Sequence, residues 1–299
     1  MAGTAAWAPL LSESGARMLL TLVEAEIRLR GVPYQMTEGA VDVELSDGQQ
    51  SLGLHNLAQV CAAIPAADWP DAVHAHFELV FGSAREEADL SAEIADFERV
   101  RSRLRVRLYE SPVEAHVSRL VGVGIAAGLV FDLPSAMRSV TRAEADLWAR
   151  PDEELFDLAL SNLALEQEPD REIISGPDGV PIVVVEGSSY YTASRALLLE
   201  REVIPEGHPY GALVTVPSRH VFFYHLIEDS RVIFAVNALV SLASEAFRRG
   251  PGSISDQVYW ARRGELVQIP CGVQDGTLHV APPALFVKEV LEPLSQPSS

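Results

Sequence analysis

The sequence predicts an α+β fold: mixed, mainly antiparallel sheets in strand–strand–helix units, with helices packed on the sheets. Three observations carry this expectation. Short runs of β-branched and aromatic residues come in pairs around turn residues, as "REIIS" and "IVVVE" flank "GPDG", the signature of hairpins. Segments with helical periodicity follow such pairs without the regular strand–helix–strand alternation of a parallel sheet. No repeat or low-complexity linker interrupts the 299 residues. The expected organisation is an N-terminal unit, 1–100, with a soft boundary, a C-terminal α+β domain, 101–293, and a disordered tail, 294–299.

The N-terminal unit reads helix, hairpin, helix, helix. Residues 15–30 place Leu19, Leu20, Val23, Ile27 and Leu29 on an apolar face, and Gly31-Val32-Pro33 ends the helix. "VDVEL" (41–45) alternates like a half-buried strand, "SDGQ" (46–49) is a turn, and "SLGL" returns. "LHNLAQVCAAIP" and "DAVHAHFELVFG" read as two helices, and 84–100 as an acidic helical stretch.

In the C-terminal part, "RLRVRLYE" (103–110) alternates cleanly, with Leu104, Val106 and Leu108 facing one way and Arg103, Arg105 and Arg107 the other. The arginines suit either a basic strip for an acidic ligand or a solvated strand face balanced by neighbouring acids. "LVFDLP" and "AMRSV" read as strands around a turn. Thr141 and Glu144 have capping-box spacing, and Pro151 with its following acids opens a stronger helix with Leu155, Leu158, Ala159, Asn162 and Leu163 on one face. The 171–175 and 182–186 strands lead to a helix at 192–202. "GALVTVP" and "HVFFYHLI" follow as strands around Pro217-Ser218-Arg219, then a helix over about 229–249 and a hairpin turning at Arg263-Gly264; "TLHVAPP" and "LFVKEVL" finish the fold.

Composition narrows the function classes. The chain carries 23 basic and 42 acidic residues, a net charge of −19. Such a field repels nucleic acid and anionic lipid and favours solubility or a basic protein partner. No run approaches the ~18 apolar residues of a membrane span. The first residues lack the basic and apolar regions of a signal peptide, and Gly3 is not placed for myristoylation, so a cytoplasmic location is expected. Cys61 and Cys271 are too few for a disulfide framework or a thiolate zinc site and read as reduced thiols.

Three blocks resemble a known family. "DLPSAMRSVTRAEADLWARPDEELFDLALSNL" offers Thr141, Trp148, Glu153-Glu154-Leu155 and Asn162-Leu163. "YYTASRALL" offers Tyr191, Ala193, Ser194 and Arg195, with Thr192 where the family usually has aspartate. "ALVTVPSRHVFFYHL" offers a strand, a Val-Pro turn and a strand. Together they resemble the uncharacterised bacterial family called domain of unknown function 1444, which includes the YtpQ-like proteins. The resemblance implies a fold and an order of elements over residues 15–290 and supplies no catalytic site.

Each candidate chemistry competes with a structural role. "GVGIAA" (122–127) satisfies a relaxed dinucleotide fingerprint but lacks its strand–turn–helix context. His74 and Glu78 share a helix face at a spacing that suits zinc, yet a zinc site requires at least three protein ligands; no metal and no cofactor are expected. Ser194 with His208 or His220 has the residue types of a serine hydrolase without its nucleophile elbow. Thr192 is placed to cap the 192–202 helix. Arg195 lies at the unfavourable end of that helix's dipole and therefore demands a carboxylate, carbonyls or an anionic ligand. The leading expectation is a non-catalytic binding protein, of regulatory, adaptor or immunity type, acting on another protein. The alternative is a hydrolase or an anionic-ligand binder, with Tyr191, Thr192, Ser194 and Arg195 at the mouth of helix 192–202.

Overall fold

A computed structural model describes residues 4–45, 48–111, 117–134, 136–249, 252–262, 264–274 and 277–295. The chain forms two units, Met1–Ala88 with Pro134–Ala136, and Asp89–Leu133 with Met137–Ser299. The architecture is α+β, and every strand pairing among the described residues is antiparallel.

In the first unit β1 (Thr4–Ala5) and β2 (Ala8–Ser12) pair and lead into α1 (Glu13–Arg30). Ser12 Oγ accepts the Gly15 N–H at 3.1 Å to cap the helix. Gly31, at φ 68°, closes it with its N–H on Arg28 O, as a left-handed C-terminal residue does. The buried stripe is Ala16, Leu19, Val23 and Ile27. Leu29, expected on this face, is 84% exposed, because two residues beyond Ile27 lie about 200° further around the helix. Three strands follow, β3 (Tyr34–Thr37), β4 (Ala40–Leu45) and β5 (Gly48–Gly53), where only the second pair was expected. β3 buries neither face fully, so its sequence carries little apolar alternation. Ser46 and Asp47 of the expected turn lie outside the described residues. α2 (His55–Ala62) precedes α3 (Trp69–Glu93). α3 continues through Gly82 into the acidic stretch, so the break expected there does not occur; one glycine costs a helix only ~1 kcal/mol.

The second unit begins with α4 (Phe97–Val100) and a sheet of β6 (Leu104–Glu110), β7 (Ser118–Gly122), β8 (Ile125–Asp132) and β9 (Met137–Ser139). β8 lies between β6 and β7, and β9 also pairs with it. "GVGIAA" is the β7–β8 hairpin, with Gly124 at φ 79° in its turn. No helix opens at these glycines, which removes the dinucleotide reading. α5 (Arg142–Leu147) opens with both bonds of the Thr141–Glu144 capping box. α6 (Asp152–Ala164) buries Leu155, Phe156, Ala159 and Leu163. The expected face included Asn162, whose amide instead donates to Arg101 O and Leu104 O at 2.8 and 3.0 Å.

A six-stranded sheet completes the unit: β10 (Asp170–Ser175), β11 (Pro181–Glu186), β12 (Ala212–Ser218), β13 (Val221–Leu226), β14 (Val258–Arg262) and β15 (Glu265–Ile269), in the order β10-β11-β13-β12-β14-β15. Val185, Val214, Val216, Phe222, Tyr224 and Tyr259 share one core with Leu104, Val106, Leu108, Leu129 and Phe131 of the smaller sheet and with Leu155 and Phe156 of α6. Leu213, Phe223, Val258 and Trp260 face a second core, with Val236 and Leu239 of the long helix Val232–Arg249 and with Phe286 and Val290. β12 is therefore buried along its whole length, and burial on both faces replaces alternation with a nearly continuous apolar run, broken here only by the buried Thr215 and Ser218. Each large apolar side chain so buried contributes ~1.5–3 kcal/mol. β16 (Cys271–Gln274) and β17 (Thr277–Val280) form a separate hairpin, and Ala284–Ser295 is helical. Leu294, placed by sequence in a disordered tail, packs against the second core; 296–299 lie outside the described residues.

Candidate functional site

The segment after β11 carries the candidate residues. It is not one α-helix: Thr192–Leu198 is 3₁₀, followed by the single α-turn Leu199–Glu202. Its polar side chains are tied to neighbouring elements. The expected cap is not formed, because the tighter turn places Thr192 inside the helix and Tyr191 at its N-cap position. Thr192 Oγ1 instead donates back to Ser189 O at 3.0 Å. Gly187 permits this, since a Cβ there would meet Thr192 Oγ1 at 2.9 Å.

Ser194 is buried, and its hydroxyl accepts the Leu108 N–H of β6 at 3.1 Å. His220 Nδ1 lies 3.2 Å from Ser189 O, and its Nε2 accepts from Arg219 Nε at 2.8 Å. A carbonyl only accepts, so Nδ1 carries the ring proton and the imidazole is neutral. Burial, and then the Arg219 charge, push its pKa below the ordinary value. His208 Nδ1 accepts from the N–H groups of Tyr210 and Gly211 at 3.4 and 3.1 Å, holding its own turn. Among the described residues no hydrogen bond joins Ser194 to His208 or His220, so the geometry offers no nucleophile–base pair of the kind a serine hydrolase uses.

Arg195 is 5% exposed. Its guanidinium donates to Glu202 Oε1 and Oε2 at 3.1 and 3.3 Å and to Leu163 O at 3.0 Å. Leu163 belongs to the last turn of α6, so Arg195 stands at the negative end of a neighbouring helix as well as on a carboxylate. Its Nε is buried without a partner. Tyr191 is buried and donates to Asp132 Oδ1 at 2.8 Å; burial, then the Asp132 charge, push its phenol far above the ordinary pKa.

Beside this segment lies a cleft of about 280 Å³. Tyr191, Thr192 and Arg195 line it; Ser194 does not. Glu166, Glu168, Asp170 and Glu186 line it too. Glu166 is paired with Arg105, and Glu168 lies 3.3 Å from Arg171. Asp170 and Glu186 are direct cross-strand partners where β10 meets β11, and among the described residues neither has an ion pair. The acids of 166–170 escaped the sequence reading because they fall in a connection without periodicity, and their convergence on Glu186 follows only from strand register.

Elsewhere, His74 Nδ1 lies 3.1 Å from Glu26 Oε1, while Glu78 holds Arg30 at 2.8 Å. The helical pair considered for zinc thus belongs to an ion network between α1 and α3, and among the described residues no cluster of His, Cys, Asp or Glu is arranged to hold a metal ion. Cys61 and Cys271 are free, and burial pushes both thiols up to about 11, which leaves little thiolate at neutral pH. Among the described residues no helix is long and apolar enough to cross a membrane. Compared with known proteins, the chain matches no family model, no curated protein and no solved structure.

Proposed function

We propose that the protein works by binding in the cytoplasm, as a regulatory, adaptor or immunity-type component, and that its acid-rimmed cleft receives a basic segment of another protein. One observation carries this reading: Asp170 and Glu186 face each other across a strand pair at the cleft, without a cation of their own. Like charges directly opposite in a sheet are destabilising. A lysine or arginine from a partner would remove that cost and gain charge-assisted hydrogen bonds. The net charge of −19 would steer such a partner to the surface. The three family-like blocks are proposed as marks of membership in the uncharacterised family named above, and they lend the reading no chemistry.

The test is titration of a fluorescent arginine-rich peptide, followed by anisotropy at low and high salt. Wild-type protein should bind in a salt-dependent way. The double variant D170N/E186Q should bind about tenfold more weakly, equivalent to ~1.4 kcal/mol. The double variant E38Q/E44Q, at two exposed acids of the first unit, makes the same net-charge change and should change little. Equal binding by D170N/E186Q and wild type would remove the cleft from the proposal. A pull-down from the protein's own cell extract at both salt levels then asks for the natural partner.

A further inference from the structure

Arg107 and Arg219 stand apart from the other arginines of their region. Arg105 of the same strand as Arg107 holds Glu166, and Arg103 just before that strand holds Glu93. Arg107 and Arg219 are both half-buried, and among the described residues neither has a carboxylate partner. This is unexpected where acids outnumber basic residues 42 to 23. Arg107 donates one terminal N–H to the weak acceptor Met137 Sδ at 3.0 Å, and its Nε is buried without a partner.

The same 3₁₀ segment ties the chain around both arginines. Leu108 N–H donates to Ser194 Oγ, and Ala193 N–H donates to Arg219 O at 3.1 Å. Consecutive residues of one turn thereby hold the Arg107 strand and the β12–β13 turn side by side. The Arg219 guanidinium lies 4.7 Å from the centre of the Tyr190 ring, and that of Arg107 lies 4.8 Å from the centre of Tyr109. His220 accepts from Arg219 Nε, which fixes the plane of that guanidinium and leaves its terminal N–H groups without a hydrogen bond among the described residues. Burial, then the charge of Arg107, press the Arg219 pKa below its ordinary value. Two such cations, desolvated together, destabilise one another unless an anion lies between them.

We infer that Arg107 and Arg219 form a binding site for a phosphate-type oxyanion, with His220 and Tyr190 orienting Arg219 and Tyr109 backing Arg107. A planar guanidinium presents a fork of N–H donors that matches phosphate oxygens, and aromatic faces hold such a fork flat without consuming its donors. The inference does not rest on the acidic cleft, since none of its arginines lines that cleft.

Calorimetric titration of the full chain with inorganic phosphate, in chloride buffer at constant ionic strength, tests it. Wild type should show saturable binding at one site. Arg107→Gln and Arg219→Gln should each lower the affinity at least about tenfold, the scale of one lost charge-assisted contact. Arg201→Gln makes the same charge change at an exposed arginine and should leave the affinity as it is. Arg219→Lys keeps the charge and loses the fork; it too should bind more weakly, and it answers the question where a glutamine variant does not fold. Phenyl phosphate is the second probe: tighter binding than inorganic phosphate assigns the site to an organic monoester, and equal binding assigns it to the free ion. Absence of saturable phosphate binding by wild type, or undiminished binding by both Arg219 variants, would overturn the inference.

Discussion

Arg195 shows how one side chain reconciles two helices. The sequence placed it at the unfavourable end of a helix, but in the 3₁₀ segment Thr192–Leu198 it falls in the last turn, where it meets the carbonyl end of α6 and the carboxylate of Glu202. With Arg195 and Glu202 only 5% and 15% exposed, Glu202→Gln leaves a buried cation without its counter-charge, and denaturant unfolding should show a loss of ~3–5 kcal/mol. Adding Arg195→Met to that variant should recover part of the loss, because the stranded charge is then gone; a double variant no more stable than Glu202→Gln would contradict the pairing. Ser194→Ala should cost ~1–3 kcal/mol, because the Leu108 N–H then has no acceptor in the core. A catalytic serine predicts the reverse, since its removal would leave stability nearly unchanged. At this scale the sequence was informative about demand and silent about supply. The first-turn position expected of Arg195 required a partner, but Glu202 and Leu163 become that partner only through a 3₁₀ segment that residue types do not announce. The Arg107–Arg219 pair lies deeper still, since the two arginines are 112 positions apart and their segments are tied to one turn by the Ala193 N–H and the Ser194 hydroxyl.

Elements were legible where local chemistry settles them. The Thr141–Glu144 box forms both of its bonds, and Thr141→Ala should lower stability by ~1 kcal/mol, read as a shift of the denaturation midpoint at constant slope. The hairpin flanking "GPDG" likewise follows from turn residues between apolar runs, and β14 pairs with β15 as expected, Arg263 lying outside the described residues. β3 and β7 were missed because neither holds a buried side chain, so hydrophobic alternation gives no signal. The helix expected at 192–202 divides because Ala193, Ser194, Arg195 and Ala196 are all buried, and a segment enclosed on every side is shaped by its neighbours instead of by propensity. Gly211 marks another demand of packing. Its φ is 72°, and a Cβ would lie 2.4 Å from Ala261 O in the adjacent strand. Gly211→Ala therefore combines left-handed strain with a clash against backbone, and a loss above ~2 kcal/mol is expected in thermal or denaturant unfolding. A wild-type-like Tm for this variant would mean that β14 can move aside.

For the whole molecule, acidity and buried histidine act on stability in separate pH ranges. His220 and His225 are both depressed below the ordinary histidine pKa, in each case by burial first. His225 is 4% exposed, with Nδ1 2.9 Å from Pro181 O and Nε2 buried without a partner, so a second ring proton would have no acceptor there. The folded state thus keeps both rings neutral where the unfolded chain binds protons. Their contribution is complete above the unfolded pKa of about 6.5 and is lost as pH falls below it toward the folded values, by up to ~1.4 kcal/mol per pH unit for each histidine. Carboxylates add a second loss at lower pH. The pKa of Asp152 is held down by its bond to Arg142, and that of Glu26 by Arg30 and His74 despite burial acting the other way. Their contributions are present above the ordinary carboxylate range and vanish as pH falls through the folded values. Protonation of the chain's eight histidines also begins to relieve the −19 net charge in this range, so the buried rings are isolated by comparison with a variant that lacks one of them. Denaturant midpoints from about pH 7.5 to about pH 5 should accordingly decline, beginning near 6.5. His225→Gln keeps an N–H donor for Pro181 O without a titrating ring, and should flatten the decline by roughly half. A wild-type profile that stays level across this interval would show that neither imidazole is held neutral by the fold.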